Sequence, residues 1–479
     1  MFNLVDFILF SPELFLLGMT LVVLLTDLYL PKKYNGVTYL LAQLALAGTA
    51  VLVLSLLGQG VDFAFNKHMI FDGLGSVLKF FTLIIAFLAF LYANRSIDDL
   101  DIARGDFYVL ALFSVLGMLT LISSNSLLTL YLSLELLSLP LYALVALQRD
   151  RNSGTEAAMK YFIMGALASG LLLYGFSLIY GVTGTLFIHE IAQRMMDQQE
   201  ISNVALVLAL VLVISGIAFK FGAVPFHMWV PDVYQGAPTP IVLFISSVPK
   251  LAAFALTARL LGIGLVELAD EAAQVLTVLA VLSLVIGNVV AIAQTNLKRM
   301  LAYSTISHVG FIFLGLLTAN VMGYSAALFY VITYAFMSAG AFAVLIILSH
   351  SGLEAENIDD LKGLNTRNPW YAFLMLLLMF SLAGVPPTVG FYAKVGILQS
   401  LIVIDQVWLA GVAVFFSVIG AFYYLRVVKT MYFDAPADPS PVPVQADMKV
   451  AFSFNALIIL ALGLFPEWLL NLCWWVFAA

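Results

Sequence analysis

Apolar runs of about twenty residues follow one another along almost the whole chain, parted by short polar breaks. A helix of that length is what crossing a bilayer requires. The pattern predicts spans near 11–30, 36–57, 71–92, 107–123, 126–147, 157–181, 203–230, 240–262, 272–294, 298–317, 322–349, 369–400, 404–428 and 449–471. The expected architecture is all-α, a polytopic membrane protein with about 14 transmembrane helices. Spans four and five are separated only by Ser123-Ser124-Asn125-Ser126, and spans seven and twelve are overlong.

Those two overlong runs are also interrupted. The seventh carries Lys220 and then Gly222-Ala223-Val224-Pro225; the twelfth carries Gly384-Val385-Pro386-Pro387 and then Lys394. They lie five spans apart, so they cross the membrane in opposite senses, and a five-helix unit repeated in tandem comes out inverted. Paired Gly/Pro-interrupted spans in corresponding places point to the transport site of inverted-repeat folds. The expected organisation is an N-terminal three-helix segment (1–106), a first five-helix repeat (107–262), a second inverted five-helix repeat (263–430) and a C-terminal helix (431–479). Helices 7 and 12 are expected to be discontinuous. The Asp434–Pro443 segment, with its four prolines, reads as a loop before the last span.

Composition agrees with the hydropathy: 63% of residues are hydrophobic, 10% are charged, and mean hydropathy is +1.04. A net charge of −7 without a basic patch argues against nucleic-acid binding. The single cysteine, Cys473, excludes an intrachain disulfide framework and a cysteine-ligated iron–sulfur cluster. His68, His189, His227, His308 and His350 are scattered and form no metal-site spacing. No basic segment precedes the first apolar run, so Met1–Leu30 reads as a retained span.

Lysines and arginines set the expected orientation. Loops after odd-numbered spans hold Lys32, Lys33, Arg95, Arg104, Arg149, Arg151, Lys298, Arg299, Lys362, Arg367, Arg426, Lys429 and Lys449; those after even-numbered spans hold Lys67 and Arg194, with Arg259 near a helix end. Both termini are therefore expected on the non-cytoplasmic side. The acidic stretches Asp98–Asp101 and Glu354–Asp360 read as solvated loop faces.

Few charges remain inside the spans: Lys79, Lys220, Lys250 and Lys394, Lys160 near a span start, and Glu135 as the one mid-span acid. Glu13 and Asp27 sit near the ends of the first span, where water is expected to reach them. A lysine at mid-bilayer costs about 2.5–3.5 kcal/mol. Burial favours its neutral form and a nearby carboxylate its charged form, so a movable carboxylate can load or unload it. Tyr131, Glu135, Ser138 and Tyr142 share one helical face, with Pro140 one turn beyond Glu135. For Glu135 the alternative is a structural ion pair; for the lysines it is snorkelling to the interface. Lys79 is open between a local structural partner and a role. His308 is a candidate relay, or a packing residue. Tyr330, Thr333, Tyr334 and Ser338 form a hydroxyl stripe that orders water or bonds neighbouring helices. His227 and Trp229 are expected in an interfacial belt.

Three runs carry a resemblance: Met159-Lys160-Tyr161-Phe162-Ile163-Met164-Gly165-Ala166-Leu167-Ala168-Ser169-Gly170, the Phe219–Asp232 segment, and Tyr234-Gln235-Gly236-Ala237-Pro238-Thr239-Pro240. They resemble the antiporter-like membrane subunits of respiratory complex I, and the likeness extends over essentially the whole chain. The chain ends soon after span fourteen, as expected of N- and M-type members and not of the L-type with its lateral helix. The resemblance implies a proton-translocating membrane-arm subunit of NADH–quinone oxidoreductase, an enzyme subunit without a redox centre, coupling quinone reduction to proton transfer. It places Glu135, Lys220, Lys250 and Lys394 at the family's proton-transfer positions and Lys160 at a sixth-helix lysine position, a possible relay with His308. No cofactor or metal is expected in this chain; NADH, FMN, iron–sulfur clusters and quinone belong to other subunits. Expected neighbours are antiporter-like subunit M, the small subunit K and lipids, in a bacterial inner membrane with both termini on the periplasmic side. The alternatives are a subunit of a multisubunit sodium/proton antiporter, a subunit of a membrane-bound hydrogenase, or a purely structural subunit.

Overall fold

The computed structural model describes residues 4–31, 35–58, 60–148, 150–197, 203–349, 354–436, 440 and 446–478. Lys32, Lys33, Arg149, His350 and much of the proline-rich segment after Asp434 lie outside the described residues. Among those described, thirteen helices are long and apolar enough to cross a membrane. The twelfth span is met by two shorter helices, so the expectation of about fourteen crossings holds.

In chain order the helices begin with α1 (Leu4–Leu9), α2 (Ser11–Tyr29) and α3 (Asn35–Ser55), followed by a hairpin of β1 (Asp62–Ala64) and β2 (Met69–Phe71). Then come α4 (Gly73–Asp99), α5 (Arg104–Ser123), α6 (Leu127–Val145), α7 (Asn152–Thr183), α8 (Ile188–Asp197) and α9 (Asn203–Phe221). After them follow α10 (Trp229–Gly236), α11 (Thr239–Ser247), α12 (Pro249–Arg259), α13 (Ala269–Ile292), α14 (Leu297–Leu316) and α15 (Val321–Leu348). The chain closes with α16 (Leu364–Arg367), α17 (Pro369–Ala383), α18 (Val389–Val403), α19 (Val407–Phe433), α20 (Ala446–Leu464) and α21 (Glu467–Ala478).

Local chemistry sets the ends. The sharp corner between α5 and α6 is held by Ser126, whose hydroxyl accepts from the Thr129 amide while the Thr129 hydroxyl accepts from the Ser126 amide. Asn296 and Asn320 cap α14 and α15 in the same sense, accepting from Arg299 and Gly323 amides. Proline opens α12 and α17, where its missing N–H goes unneeded. The seventh span stops as a helix at Phe221, and the twelfth breaks between Ala383 and Val389. Both breaks begin on a left-handed glycine, Gly222 at φ 81° and Gly384 at φ 85°, a region that side-chain-bearing residues rarely occupy.

Three details depart from the hydropathy reading. The last span ends at Leu464, and α21 starts afresh after Pro466, because proline cannot continue a helix. The short amphipathic α8 and the β1–β2 hairpin were hidden in what reads as loop. The hairpin pairs Asp62 with Phe71 around a turn in which Phe65, Asn66 and Lys67 all have positive φ (51°, 55° and 67°), a conformation the apolar pattern does not encode.

The chain divides into two compact units, residues 1–90, 101–220 and 248–275, and residues 91–100, 221–247 and 276–479. In the first, α5 packs closely on α6 and α2, and α12 joins α5. In the second, α15 is the central rod, packed on α11, α14, α17, α18, α20 and α21. Almost every residue of α15 is buried.

Candidate functional site

In the first unit the polar stripe of α6 meets Lys220, the penultimate residue of α9. The Lys220 Nζ donates to Ser138 Oγ at 2.8 Å, and Ser138 donates onward to the Leu134 carbonyl at 2.6 Å. The ammonium also lies 6.0 Å from the Tyr142 ring centroid and 5.8 Å from that of Phe219, within reach of a cation–π attraction. No ion pair joins Lys220 to Glu135. Instead the Glu135 Oε1 is buried and accepts no hydrogen bond from a described residue. The Tyr142 hydroxyl and Ser169 Oγ are buried in the same condition. Pro140 removes a backbone donor inside α6, and nearby Ser114 of α5 donates to the Leu137 carbonyl at 3.0 Å. Buried polar atoms without partners are uncommon in folded proteins, and each calls for an explanation, a catalytic role among them.

Lys250 stands in the eighth span directly after Pro249, where Val248, itself in helical conformation (φ −69°, ψ −48°), parts α11 from α12 without a break in the span. It is 2% exposed, which rules out snorkelling within the chain. Lys160 is different: its side chain is 43% exposed on α7 and pairs with Glu156 at 2.9 Å, one helical turn away.

The second unit contains His308 and Lys394. The His308 ring is buried on α14 and held at both nitrogens, by the Tyr330 hydroxyl at Nδ1 (2.7 Å) and the Tyr424 hydroxyl at Nε2 (3.0 Å). Tyr424 in turn makes a short hydrogen bond to Ser304. Thr305 bonds Tyr334 at 2.7 Å, and Ser338 donates to Ser246 at 2.9 Å. The hydroxyl stripe of α15 therefore bonds neighbouring helices through three of its four members, while Thr333 bonds back to its own helix. Lys394 Nζ donates to the Ala383 carbonyl and to Ser417 Oγ, each at 2.8 Å, and lies 5.3 Å from the Phe311 centroid. Ala383 is the last residue of α17, so the break presents the negative end of a helix to the lysine. A Cβ at Gly384 would come within 2.8 Å of the Lys394 Cδ, so the glycine also makes room for the lysine stem.

The breaks satisfy their own backbone. Ser283 of α13 accepts from the Val224 amide at 3.0 Å, and a Cβ at Gly222 would meet the Val230 Cγ2 at 2.4 Å. His227 and Trp229 are not an interfacial belt: they are 8% and 2% exposed. The chain turns back at the break and buries the first turn of α10.

Several charges that read as ordinary loop or terminus positions are buried in ion pairs. Glu13 was expected to reach water but is 4% exposed and pairs with Lys79 at 2.5 Å. Arg259 grips Asp72 through two hydrogen bonds of 2.8 Å and donates to the Ile122 carbonyl at 2.8 Å. Burial pushes the Asp72 carboxyl up, but the Arg259 charge and its hydrogen bonds prevail and hold it below the usual carboxylate range. The Glu354–Asp360 stretch is not a solvated face at its start. Glu354 accepts from the Thr239 amide and hydroxyl (2.7 and 2.6 Å) and, with Glu356, flanks the fully buried Lys298 at 3.8 and 3.2 Å. Nearer the surface, Arg299 pairs with Asp232 at 3.0 Å, their side chains 30% and 29% exposed. The sequence reading missed these pairs and Tyr424, because their partners lie far apart in the chain. Charges at helix starts, and a tyrosine pair at Tyr423-Tyr424, were the only local signals. Among the described residues no group of three His, Cys, Asp or Glu side chains is placed to hold a metal ion.

Comparison with known proteins follows this geometry. Residues 124–420 match the family model described as NADH:quinone oxidoreductase/Mrp antiporter, transmembrane. The NADH-quinone oxidoreductase subunit N of Thioalkalivibrio sulfidiphilus (strain HL-EbGR7) is 55% identical over 471 residues, covering 98% of both chains. A chain of respiratory complex I from Thermus thermophilus superposes with a TM-score of 0.82 at 33% identity, covering 96% of this chain and 98% of that one. A chain of the Mrp complex from Dietzia sp. DQ12-45-1b gives a TM-score of 0.83 at 21% identity, a likeness of fold alone. With its broken spans, its buried lysines and these matches over nearly its full length, the chain belongs to the NADH:quinone oxidoreductase/Mrp antiporter transmembrane family.

Proposed function

We infer that the chain is a proton-translocating subunit of the membrane arm of a bacterial NADH–quinone oxidoreductase, and that Glu135, Lys220, Lys250 and Lys394 carry the proton transfer. One observation carries this reading. Lys220 is bonded to Ser138 at 2.8 Å, and three residues before Ser138 on α6 Glu135 holds a buried Oε1 that accepts no hydrogen bond from a described residue. Residues at that spacing lie on neighbouring positions of one helix face, about 5–6 Å apart. A lysine rotamer change therefore moves the ammonium between a neutral hydroxyl and a carboxylate without moving the backbone. Next to the carboxylate the charged form is held; next to the hydroxyl, in an apolar surround, the proton is released more readily. Carrying one charge across 100 mV takes about 2.3 kcal/mol, a scale that gaining or losing one close carboxylate matches.

In this reading Lys250 receives the proton as a central carrier and Lys394 acts on the outward side. There the α17 terminus and Ser417 hold the ammonium until release. His308, held at both nitrogens, relays within the tyrosine cluster. Lys160 is a weaker relay candidate, since its ammonium is engaged by Glu156. The interrupted spans belong to two inverted five-helix repeats, 107–262 and 263–430, each a half-channel. Both termini face the periplasm, with subunits M and K and lipids as neighbours. Nicotinamide, flavin, iron–sulfur and quinone chemistry takes place in other subunits and reaches this chain as a displacement of charge or helix.

The test is Lys220→Ala in the assembled complex in proteoliposomes. Protons moved per NADH oxidised should fall; an unchanged ratio with normal assembly would sink the assignment.

A further inference from the structure

Four charges of the first unit, three buried and Asp72 15% exposed, gather around the C-terminal end of α5. Arg259 and Asp72 form one pair, Glu13 and Lys79 the other, and α5 supplies the Ile122 carbonyl to the first and the Ser123 hydroxyl to the second. The pairs differ in what chemistry allows them. Arg259 is permanently charged, and both Asp72 oxygens are engaged, one by two donors, Arg259 and the Gly75 amide. That pair is a clamp. Glu13 and Lys79 are each able to gain or lose a proton. The Lys79 Nζ and Ser123 Oγ share Glu13 Oε1 at 2.5 and 3.1 Å, while Oε2 is buried and accepts no hydrogen bond from a described residue. Lys79 is 3% exposed, and its Nζ lies 5.3 Å from the Phe10 ring centroid. Beside Ser123 in the chain, the Ser124 hydroxyl donates to the Thr120 carbonyl at 2.7 Å and lies 3.4 Å from Ser133 Oγ, on the side of α6 opposite Glu135.

We propose that Glu13 and Lys79 form a further proton-binding site of this chain, bordered by the Ser123 hydroxyl at the C-terminal end of α5. The step is a proton transfer within the pair. One N–H bond of the Lys79 ammonium breaks, an O–H bond forms on Glu13, and the ion pair becomes a neutral amine beside a neutral acid. That transfer places the proton on Oε1, which faces Lys79, while Oε2, which accepts no hydrogen bond from a described residue, is the position at which a further proton binds, leaving a neutral acid beside the Lys79 ammonium with one positive charge gained. A structural tie between α2 and α4 would need neither a titratable cation nor an unsatisfied oxygen, and an apolar pair would serve it as well.

The inference rests on the proton-translocating reading, and its test separates the two. Glu13→Gln, the paired Glu13→Leu/Lys79→Leu variant and Lys220→Ala are compared in the assembled complex in proteoliposomes, reading protons moved per NADH oxidised. The expected result is a lowered ratio for Glu13→Gln and for the paired variant. Glu13→Asp, which keeps the carboxylate, should recover most of the loss. An unchanged ratio in the assembled paired variant overturns the site, as does failure of both Glu13→Gln and the paired variant to assemble, which would make the pair part of the fold. If Lys220→Ala also leaves the ratio unchanged, the wider reading fails and not this site alone.

Discussion

Lys220 hydrogen-bonds Ser138 at 2.8 Å, while Glu135 Oε1, one turn away, accepts no hydrogen bond from a described residue. The expected Glu–Lys pair is thus poised and not closed, and a hydroxyl holds the lysine in the meantime.

Ser138→Ala tests that arrangement. A hydrogen bond to a charged group contributes about 1.5–3 kcal/mol, so its loss should lower coupled turnover by about tenfold or more. The helix should be untouched, since alanine favours it. Proton uptake and NADH oxidation, measured together on the assembled complex, provide the check; an unaltered rate would make Ser138 a bystander.

Tyr424 joins Ser304 and His308 through one hydroxyl. Tyr424→Phe keeps the ring and removes that junction. If His308 relays protons, the variant should pump more slowly with a larger solvent deuterium isotope effect. A variant that is merely less stable would show lower assembly and the same isotope effect.

Gly384→Ala asks whether the break positions Lys394. The left-handed conformation costs a non-glycine residue about 1–2 kcal/mol, and the new methyl would displace the lysine stem from the Ala383 carbonyl. Pumping should fall to a level near that of Lys394→Ala, while far-ultraviolet circular dichroism stays the same. Gly18, which has open space around it, is the control position, and Gly18→Ala should behave as the unsubstituted chain.

The Arg259–Asp72 clamp should be a stability element. Arg259→Met alone strands a buried carboxylate and should destabilise the chain by about 3–5 kcal/mol, whereas Arg259→Met with Asp72→Leu should recover much of that. The folded carboxyl sits below its unfolded value of about 3.9. Its contribution is therefore fully present above pH of about 4 and is lost as pH falls through the folded value. Thermal unfolding in detergent between neutral and strongly acid pH would read this, and Arg259→Met should flatten the acid limb.

Lys298→Met leaves Glu354 and Glu356 without their shared cation. The expected result is faster amide hydrogen exchange over 354–361, whose start is pinned to Thr239 through Glu354. Unchanged exchange would show that the Thr239 contacts suffice.

Much of this protein was legible one residue at a time. Hydropathy alone predicted the crossings, because a bilayer admits only apolar helices whose backbone groups are satisfied internally. Glycine and proline located the two breaks, because each acts on its own backbone, and the rarity of charge in the spans singled out Glu135, Lys220, Lys250 and Lys394. What the sequence left undecided was pairing. Whether Glu13 meets water or Lys79, whether Glu354 is solvated or clasps Lys298, and whether Lys220 is held by Glu135 or Ser138 are questions of which helix faces which. Residues 66, 56 and 82 positions apart in the chain meet in these contacts. A local pattern carries no record of such distances; only the packed bundle brings the charges together and sets what each can do.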